Sequence, residues 1–181
     1  MGRCQRVVKS GRRHVILVGP PGSGKSEVGR LLALALETRV TDVDDLITDE
    51  EGTSINRIFE LQGEKIFREK EQDFVRRALA AEPHIVVPGG GWAAQPGAML
   101  TSASAFRIHL RTSPAVALAR LQDDHSRPLL QGGKTERLHT LIEERLPDYD
   151  LADREVVTDG RSIAEVVEVL AALVRSEGGW G

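Results

Sequence analysis

With 181 residues, the chain is long enough for one compact domain with a substantial core and too short for two large ones. Apolar residues make up 40%, charged residues 28%, and the net charge is −3, which fits a soluble globular protein and argues against non-specific nucleic-acid binding. The single cysteine, Cys4, excludes an internal disulfide, and no apolar run approaches the ~20 residues of a membrane span. No signal-like apolar region precedes the basic cluster Arg3, Arg6, Lys9, Arg12 and Arg13, so a cytoplasmic location with no membrane or nucleic-acid partner is the expectation. The cluster itself reads as a solvated tail, with contact to an anionic partner as the alternative.

In chain order, His14–Val18 is a short apolar run, read as a buried strand. It stops at Gly19-Pro20-Pro21-Gly22-Ser23-Gly24-Lys25-Ser26. Ser26–Leu36 is helical, with Val28, Leu31, Leu32 and Ala35 on one face. Arg39–Thr41 is a weaker strand. Residues 54–61 and 64–81 read as two helices, the longer with an inward stripe of Phe67, Phe74, Ala78 and Leu79. His84–Val87 is a strand cut by Pro88 and Gly89-Gly90-Gly91. Ala105–Leu110 is a strand, and Pro114–Leu121 a helix with proline in its first turn. Asp123–Gly133 has loop character. Lys134–Leu146 is helical, Glu155–Val157 is a last strand, and Ile163, Val166, Val167, Leu170 and Val174 mark a closing helix. Strands alternating with helices predict an α/β fold with a parallel sheet. The chain reads as one domain over 1–181, with a flexible basic N-terminus (1–12), a substrate-binding flap (about 43–72) and a mobile lid (about 123–133). The five histidines, at 14, 84, 109, 125 and 139, never fall at i, i+3 or i+4. A helical zinc site is therefore not expected, and most of them read as surface or strand-edge residues.

Residues 19–26 fit G-x-x-x-x-G-K-[ST] between a strand and a helix. Glycines let backbone N–H groups converge on phosphate, the lysine reaches the outer phosphates, and the serine hydroxyl can ligate Mg²⁺. After the second strand stand Asp42 and Asp44, two carboxylates that point the same way on an extended segment. Asp42 could hold Mg²⁺ or its water; Asp44 could accept a hydrogen bond from a substrate hydroxyl and help remove its proton. The alternative is that one of them caps a helix starting near Asp45. Arg68 and Glu71 share a helix face, either as a plain i,i+3 ion pair or with Glu71 orienting Arg68 toward a substrate carboxylate. Gly89–Gly91 sits at the carboxyl end of a strand, where ligands collect in open α/β sheets. Arg127 lies in the loop, where a cation could close over transferring phosphate. Arg145 sits at a helix end, where it also complements the helix dipole.

Together these segments resemble shikimate kinase, over Val15 to Ile163. The resemblance rests on G-x-x-G-x-G-K-S at 19–26, D-x-D at 42–44, S-I-x-x-I-F at 54–59, G-E-x-x-F-R-x-x-E at 63–71, G-G-G at 89–91, R-P-L-L at 127–130 and E-R-x-P-x-Y at 144–149, in that order. It implies a nucleoside-monophosphate-kinase-like three-layer α/β/α sandwich with a five-stranded parallel sheet and a mobile lid. It implies transfer of the ATP γ-phosphoryl group to the 3-hydroxyl of shikimate, in aromatic amino acid biosynthesis, by a monomer. By position, Gly22, Ser23, Gly24, Lys25, Ser26 and Glu27 would bind ATP. Ser26 and Asp42 would serve Mg²⁺, Arg120 would stack on adenine, and Arg127 would reach the phosphates from the lid. Asp44, Arg68, Gly89, Gly90, Gly91 and Arg145 would bind shikimate, with Lys25, Asp44 and Arg127 as the catalytic set. The sequence departs from the pattern at Trp92 and Pro88, and at Asp148 and Asp150, which flank Tyr149 with negative charge. The competing readings are a kinase of another polyol acid such as gluconate, and a non-catalytic phosphate-loop domain.

Overall fold

A computed structural model describes residues 11–121 and 134–181. The expected lid residues, Arg127 among them, and the basic residues Arg3, Arg6 and Lys9 lie outside the described residues. Five strands, β1 (Val15–Val18), β2 (Val40–Asp42), β3 (Ile85–Val87), β4 (Phe106–Arg111) and β5 (Arg154–Val157), form one sheet in the order β2-β3-β1-β4-β5. Every pairing is parallel. The helices are α1 (Lys25–Ala35), α2 (Val43–Glu51), α3 (Ile55–Leu79), α4 (Ala98–Thr101), α5 (Pro114–Leu121), α6 (Lys134–Tyr149) and α7 (Ile163–Glu177).

The period-two alternation of β1 divides the core. Val15 and Leu17 pack with α1 and α7 (Val28, Leu32, Leu170, Val174) on one side of the sheet. Ile16 and Val18 pack with α2 and α3 (Ile47, Ile58, Phe67, Val75), Trp92 and Tyr149 on the other. A parallel sheet needs cover on both faces, and β1 is buried along its whole length. The result is the three-layer sandwich.

As read from the sequence, residues 54–81 fall into two helical stretches: Gly63 interrupts α3 with φ 83 and ψ 162, a conformation open essentially to glycine alone. Two local features differ from the sequence reading. Proline at 147 predicts an end at Leu146, yet α6 continues through it to Tyr149. An internal proline costs ~3 kcal/mol. Burial of Tyr149, at 1% exposure, and the hydrogen bond its hydroxyl makes offset that cost. The helix of the capping alternative is present as α2, starting at Val43, two residues before the expected Asp45. Finally, His84 and His109 are core residues, 1% and 2% exposed, rather than surface ones. Among the described residues, no helix is long and apolar enough to cross a membrane.

Candidate active site

The chain leaves two neighbouring strands in opposite directions. From β1 it passes across β3 to reach β2; from β3 it passes across β1 to reach β4. In open parallel sheets, ligands bind beyond the carboxyl ends of strands whose connections diverge in this way. Here β1 runs into Gly19–Ser26, and β3 runs into Pro88–Trp92.

In the first loop, Gly22 and Gly24 take φ 81 and 86, a left-handed conformation that side-chain-bearing residues rarely adopt. Such turns let successive backbone N–H groups converge on one anion, and the N-terminus of α1 adds its partial positive charge at the same place. A Cβ on Gly22 would fall 2.5 Å from the Ala117 carbonyl oxygen, so α5 packs directly against the loop. Lys25 is nearly buried. Its Nζ donates to the carbonyls of Gly19 at 2.9 Å and Pro20 at 3.0 Å, which folds the ammonium over its own loop. The Ser23 hydroxyl is buried and makes no hydrogen bond. A cavity of about 470 Å³ opens here, lined by the loop residues Gly22 to Glu27 and also by Asp44, Pro88 and Arg120. Arg120 crosses its floor, donating to Thr158 Oγ1 at 3.1 Å, the Thr158 carbonyl at 3.3 Å and the Gly22 carbonyl at 3.3 Å. Thr158, Arg161 and Ile163 line the far wall. Sequence reasoning missed these three, although their position just beyond the carboxyl end of β5 was the available signal.

The two aspartates do not share an extended segment. Asp42 ends β2 with φ −87 and ψ 116, and its side chain accepts the Asp44 N–H at 3.2 Å, capping α2. Asp44 already lies in the first helical turn. Capping uses one carboxylate oxygen of Asp42. The other, Oδ2, is buried without a hydrogen bond, with Arg30 Nη2 3.9 Å away. Mg²⁺ takes oxygen donors and keeps several waters. The Ser26 hydroxyl on the cavity wall and this spare oxygen of Asp42 fit such an ion.

The second loop gathers the other predicted residues. A Cβ on Gly89 would fall 2.5 Å from Glu71 Oε1 and 2.7 Å from Asp44 Oδ1; one on Gly91 would fall 2.5 Å from Arg68 Nη2. Glycine is required here by close approach, not by backbone twist. Arg145 Nη1 donates to the Gly90 carbonyl at 2.9 Å, and the Tyr149 hydroxyl donates to the same oxygen at 2.7 Å. Burial pushes the Tyr149 phenol up to about 12, so it keeps its proton and remains a donor. Arg68 donates through Nη1 to Glu71 at 2.8 Å, and through Nη2 to Glu64 at 3.0 Å. The structure shows the i,i+3 ion pair, and an orienting role for Glu71 would use the same contact. Glu71 is fully buried; burial pushes its carboxyl upward, and Arg68 opposes that shift. Gln95 donates to its Oε2, a contact the sequence did not suggest. Arg68, Arg145 and Asp44 therefore meet around one glycine loop beside the phosphate-type loop.

The family model described as shikimate kinase matches residues 21–175. The chain belongs to the shikimate kinase family. It is therefore an enzyme, of a family of ATP-dependent phosphotransferases. The chain is 40% identical over 176 residues to the shikimate kinase of Geobacter sulfurreducens, covering 96% of this chain and 97% of the relative. It is 40% identical over 159 residues to that of Rhodococcus jostii, covering 87% of this chain and 95% of the relative. A solved shikimate kinase from Acinetobacter baumannii, in complex with shikimate, superposes with a TM-score of 0.86 at 29% identity, covering 91% of this chain and 94% of that one. The family fold accounts for the strand order and for the two loops at the divergence of β1 and β3.

Proposed function

We propose that the chain transfers the γ-phosphoryl group of ATP to the 3-hydroxyl of shikimate, giving shikimate 3-phosphate and ADP, within the route to chorismate and the aromatic amino acids. The observation that carries this reading is the meeting of Arg68 and Arg145 at Gly89–Gly91, with Asp44 between that loop and the phosphate-type cavity. A small cyclic acid with several hydroxyls needs guanidinium groups for its carboxylate, and a carboxylate and backbone groups for its alcohols.

Gly22–Ser26 and Lys25 hold the β- and γ-phosphates, with Glu27 on the same rim, and Arg120 faces the adenine end of the cavity. Arg68 and Arg145 take the substrate carboxylate, and Gly89–Gly91 lets the ring approach the backbone. Asp44 accepts the hydrogen bond of the reacting hydroxyl and takes up its proton as the oxygen attacks phosphorus. Ser26 and Asp42 would hold Mg²⁺, which would neutralise phosphate charge. Arg127 belongs to the same reading as the phosphate ligand of the lid, outside the described residues. Phosphoryl transfer is mostly positioning and charge neutralisation, and these residues supply both.

A coupled assay of ADP release tests the reading. Turnover is expected with shikimate, ATP and Mg²⁺, and none with gluconate. Lys25→Ala is expected to lower kcat by about 10²–10³-fold, the usual cost of one transition-state charge stabiliser, with an unchanged circular dichroism spectrum. Phosphorylation of gluconate alone would replace the acceptor, and tight binding of ATP and shikimate without turnover would make the protein a sensor.

A further inference from the structure

β4 turns Phe106, Ile108 and Leu110 to the apolar core and, by alternation, Arg107 and His109 to the opposite face. His109 is 2% exposed, and its ring stacks on Tyr149 with centroids 4.8 Å apart and planes 25° apart. Its Nδ1 is buried and makes no hydrogen bond. Glu155 Oε2 lies 3.4 Å from that nitrogen, without hydrogen-bond alignment. Asp150, just past the end of α6, completes a group in which one ligand atom from each of the three residues lies within 4.8 Å of the others. The three border a cavity of about 260 Å³ whose lining shares no residue with the phosphate-type cavity.

A four-coordinate ion with bonds of about 2.1 Å separates its ligand atoms by about 3.4 Å. The His109–Glu155 distance already has that value. Asp150 is exposed, so a change of rotamer can bring its carboxylate the remaining way. The surroundings orient the ligands: Tyr149 fixes the imidazole plane, and Arg111 Nη1 holds the other oxygen of Glu155 at 3.2 Å, leaving Oε2 for an ion. Arg154, which also borders the cavity, is paired with Glu177 at 2.6 Å. An imidazole nitrogen among the ligands selects zinc-like ions over Mg²⁺ or Ca²⁺.

We infer that His109 Nδ1, Asp150 and Glu155 form a binding site for one divalent ion of the Zn²⁺ class, with water completing its shell. The ion ties the end of α6 to β5. Because α6 also carries Arg145 and Tyr149, both bonded to the Gly90 carbonyl, the clip braces the glycine loop from behind.

The test is a Co²⁺ titration of the metal-stripped full chain without nucleotide, read by visible absorption, with displacement by Zn²⁺. One Co²⁺ per chain with the intense bands of a four-coordinate site is expected, and Zn²⁺ is expected to raise the melting temperature. His109→Gln is a core change that risks misfolding, so the surface variants Asp150→Asn and Glu155→Gln carry the argument. Each is expected to weaken Co²⁺ binding by about tenfold or more and to abolish the Zn²⁺-induced rise. Absence of saturable Co²⁺ uptake, or uptake of equal strength in both variants, overturns the site.

Discussion

Gly91→Ala tests the guanidinium pair without removing either arginine. The new Cβ would lie 2.5 Å from Arg68 Nη2, 2.8 Å from Cζ and 2.9 Å from Nη1. Ordinary contacts are ~3.5 Å, so the guanidinium has to withdraw by about 1 Å. Gly91 is not one of the left-handed glycines, so alanine adds no backbone strain. The obstacle is the tip of a long side chain rather than a backbone atom, so the fold can yield there, but the strained contact with the buried Glu71 sets the expected loss of stability at ~1–3 kcal/mol. The site responds as well. Arg68 is anchored to the buried Glu71 at 2.8 Å, and withdrawal spoils both that bond and the grip on a substrate carboxylate. A charge-assisted hydrogen bond is worth ~1.5–3 kcal/mol, which converts to about 10–150-fold in affinity. Coupled assays with shikimate and ATP varied separately are therefore expected to show KM for shikimate raised by about that factor and KM for ATP unchanged. An unchanged shikimate KM, or a rise confined to ATP, would refute the placement of Arg68 at the acceptor.

Tyr149→Phe removes the 2.7 Å bond to the Gly90 carbonyl and leaves that oxygen to Arg145. A loss of ~1–2 kcal/mol is expected, or a drop of about 2–8 °C in melting temperature for a chain of this size, with a weaker shikimate KM; parent-like values of both contradict the bracing role. Acid is expected to destabilise the fold through His14 and His84, at the end of the sheet opposite the site. Burial lowers both below their ordinary value of 6.5, with Arg39 repelling the charged form of each. The unfolded chain then binds more protons, so this stabilisation is complete above about pH 6.5 and is lost as pH falls toward the folded values. The hydrogen bonds agree with neutral rings: His84 N–H donates to His14 Nδ1 at 3.4 Å, and His84 Nε2 lies 3.0 Å from the Thr41 hydroxyl. Thermal melts at about pH 7 and 5 are expected to show the drop, and His84→Gln to shrink it; an equal drop in that variant assigns the effect elsewhere.

The alternation of apolar runs was enough to foresee the sheet and most helices, because the strands are short and β1 and β3 are runs of buried Val, Ile and Leu followed by Gly19 and Pro88. Pro114 marks the start of α5 as expected. Pro147 misleads because tertiary burial of Tyr149 outweighs a local penalty, and such contacts are not visible in a window of neighbours. The phosphate-type loop is legible because its chemistry is local: all eight residues are contiguous. Asp42 and Asp44 show the limit. Spacing alone leaves open a pair on a strand or a cap on a helix near Asp45, and the structure bears out the cap: the chain turns helical after Asp42, which gives the two carboxylates different surroundings. The meeting of Arg68, Arg145 and Gly89–Gly91 joins positions 55 residues apart across the bond from Arg145 to Gly90, and only the shared family pattern suggested it. His109, by contrast, looked unremarkable because its neighbours in space, Asp150 and Glu155, come from the far side of α6.

The unpaired oxygens explain how a site for an anionic substrate can contain carboxylates. Asp42 Oδ2 and Glu71 Oε1 are both buried without a hydrogen bond, at a cost of ~1–3 kcal/mol each. Facing phosphate or shikimate directly, either would repel its ligand. In the proposed function each instead stands behind a cation: Asp42 behind the Mg²⁺ that it and Ser26 would hold, and Glu71 behind Arg68. Glu71 has a second effect. Arg68 and Arg145 reach adjacent glycines, and two guanidinium groups this near each other repel unless an anion is close. Glu71 supplies that anion from the core, so the pair can stay charged and fixed before any substrate arrives, and the carboxylate of the ligand meets an arrangement that needs little reorganisation. The energy stored in an incompletely satisfied carboxylate thereby becomes rigidity in the residue proposed to touch the substrate.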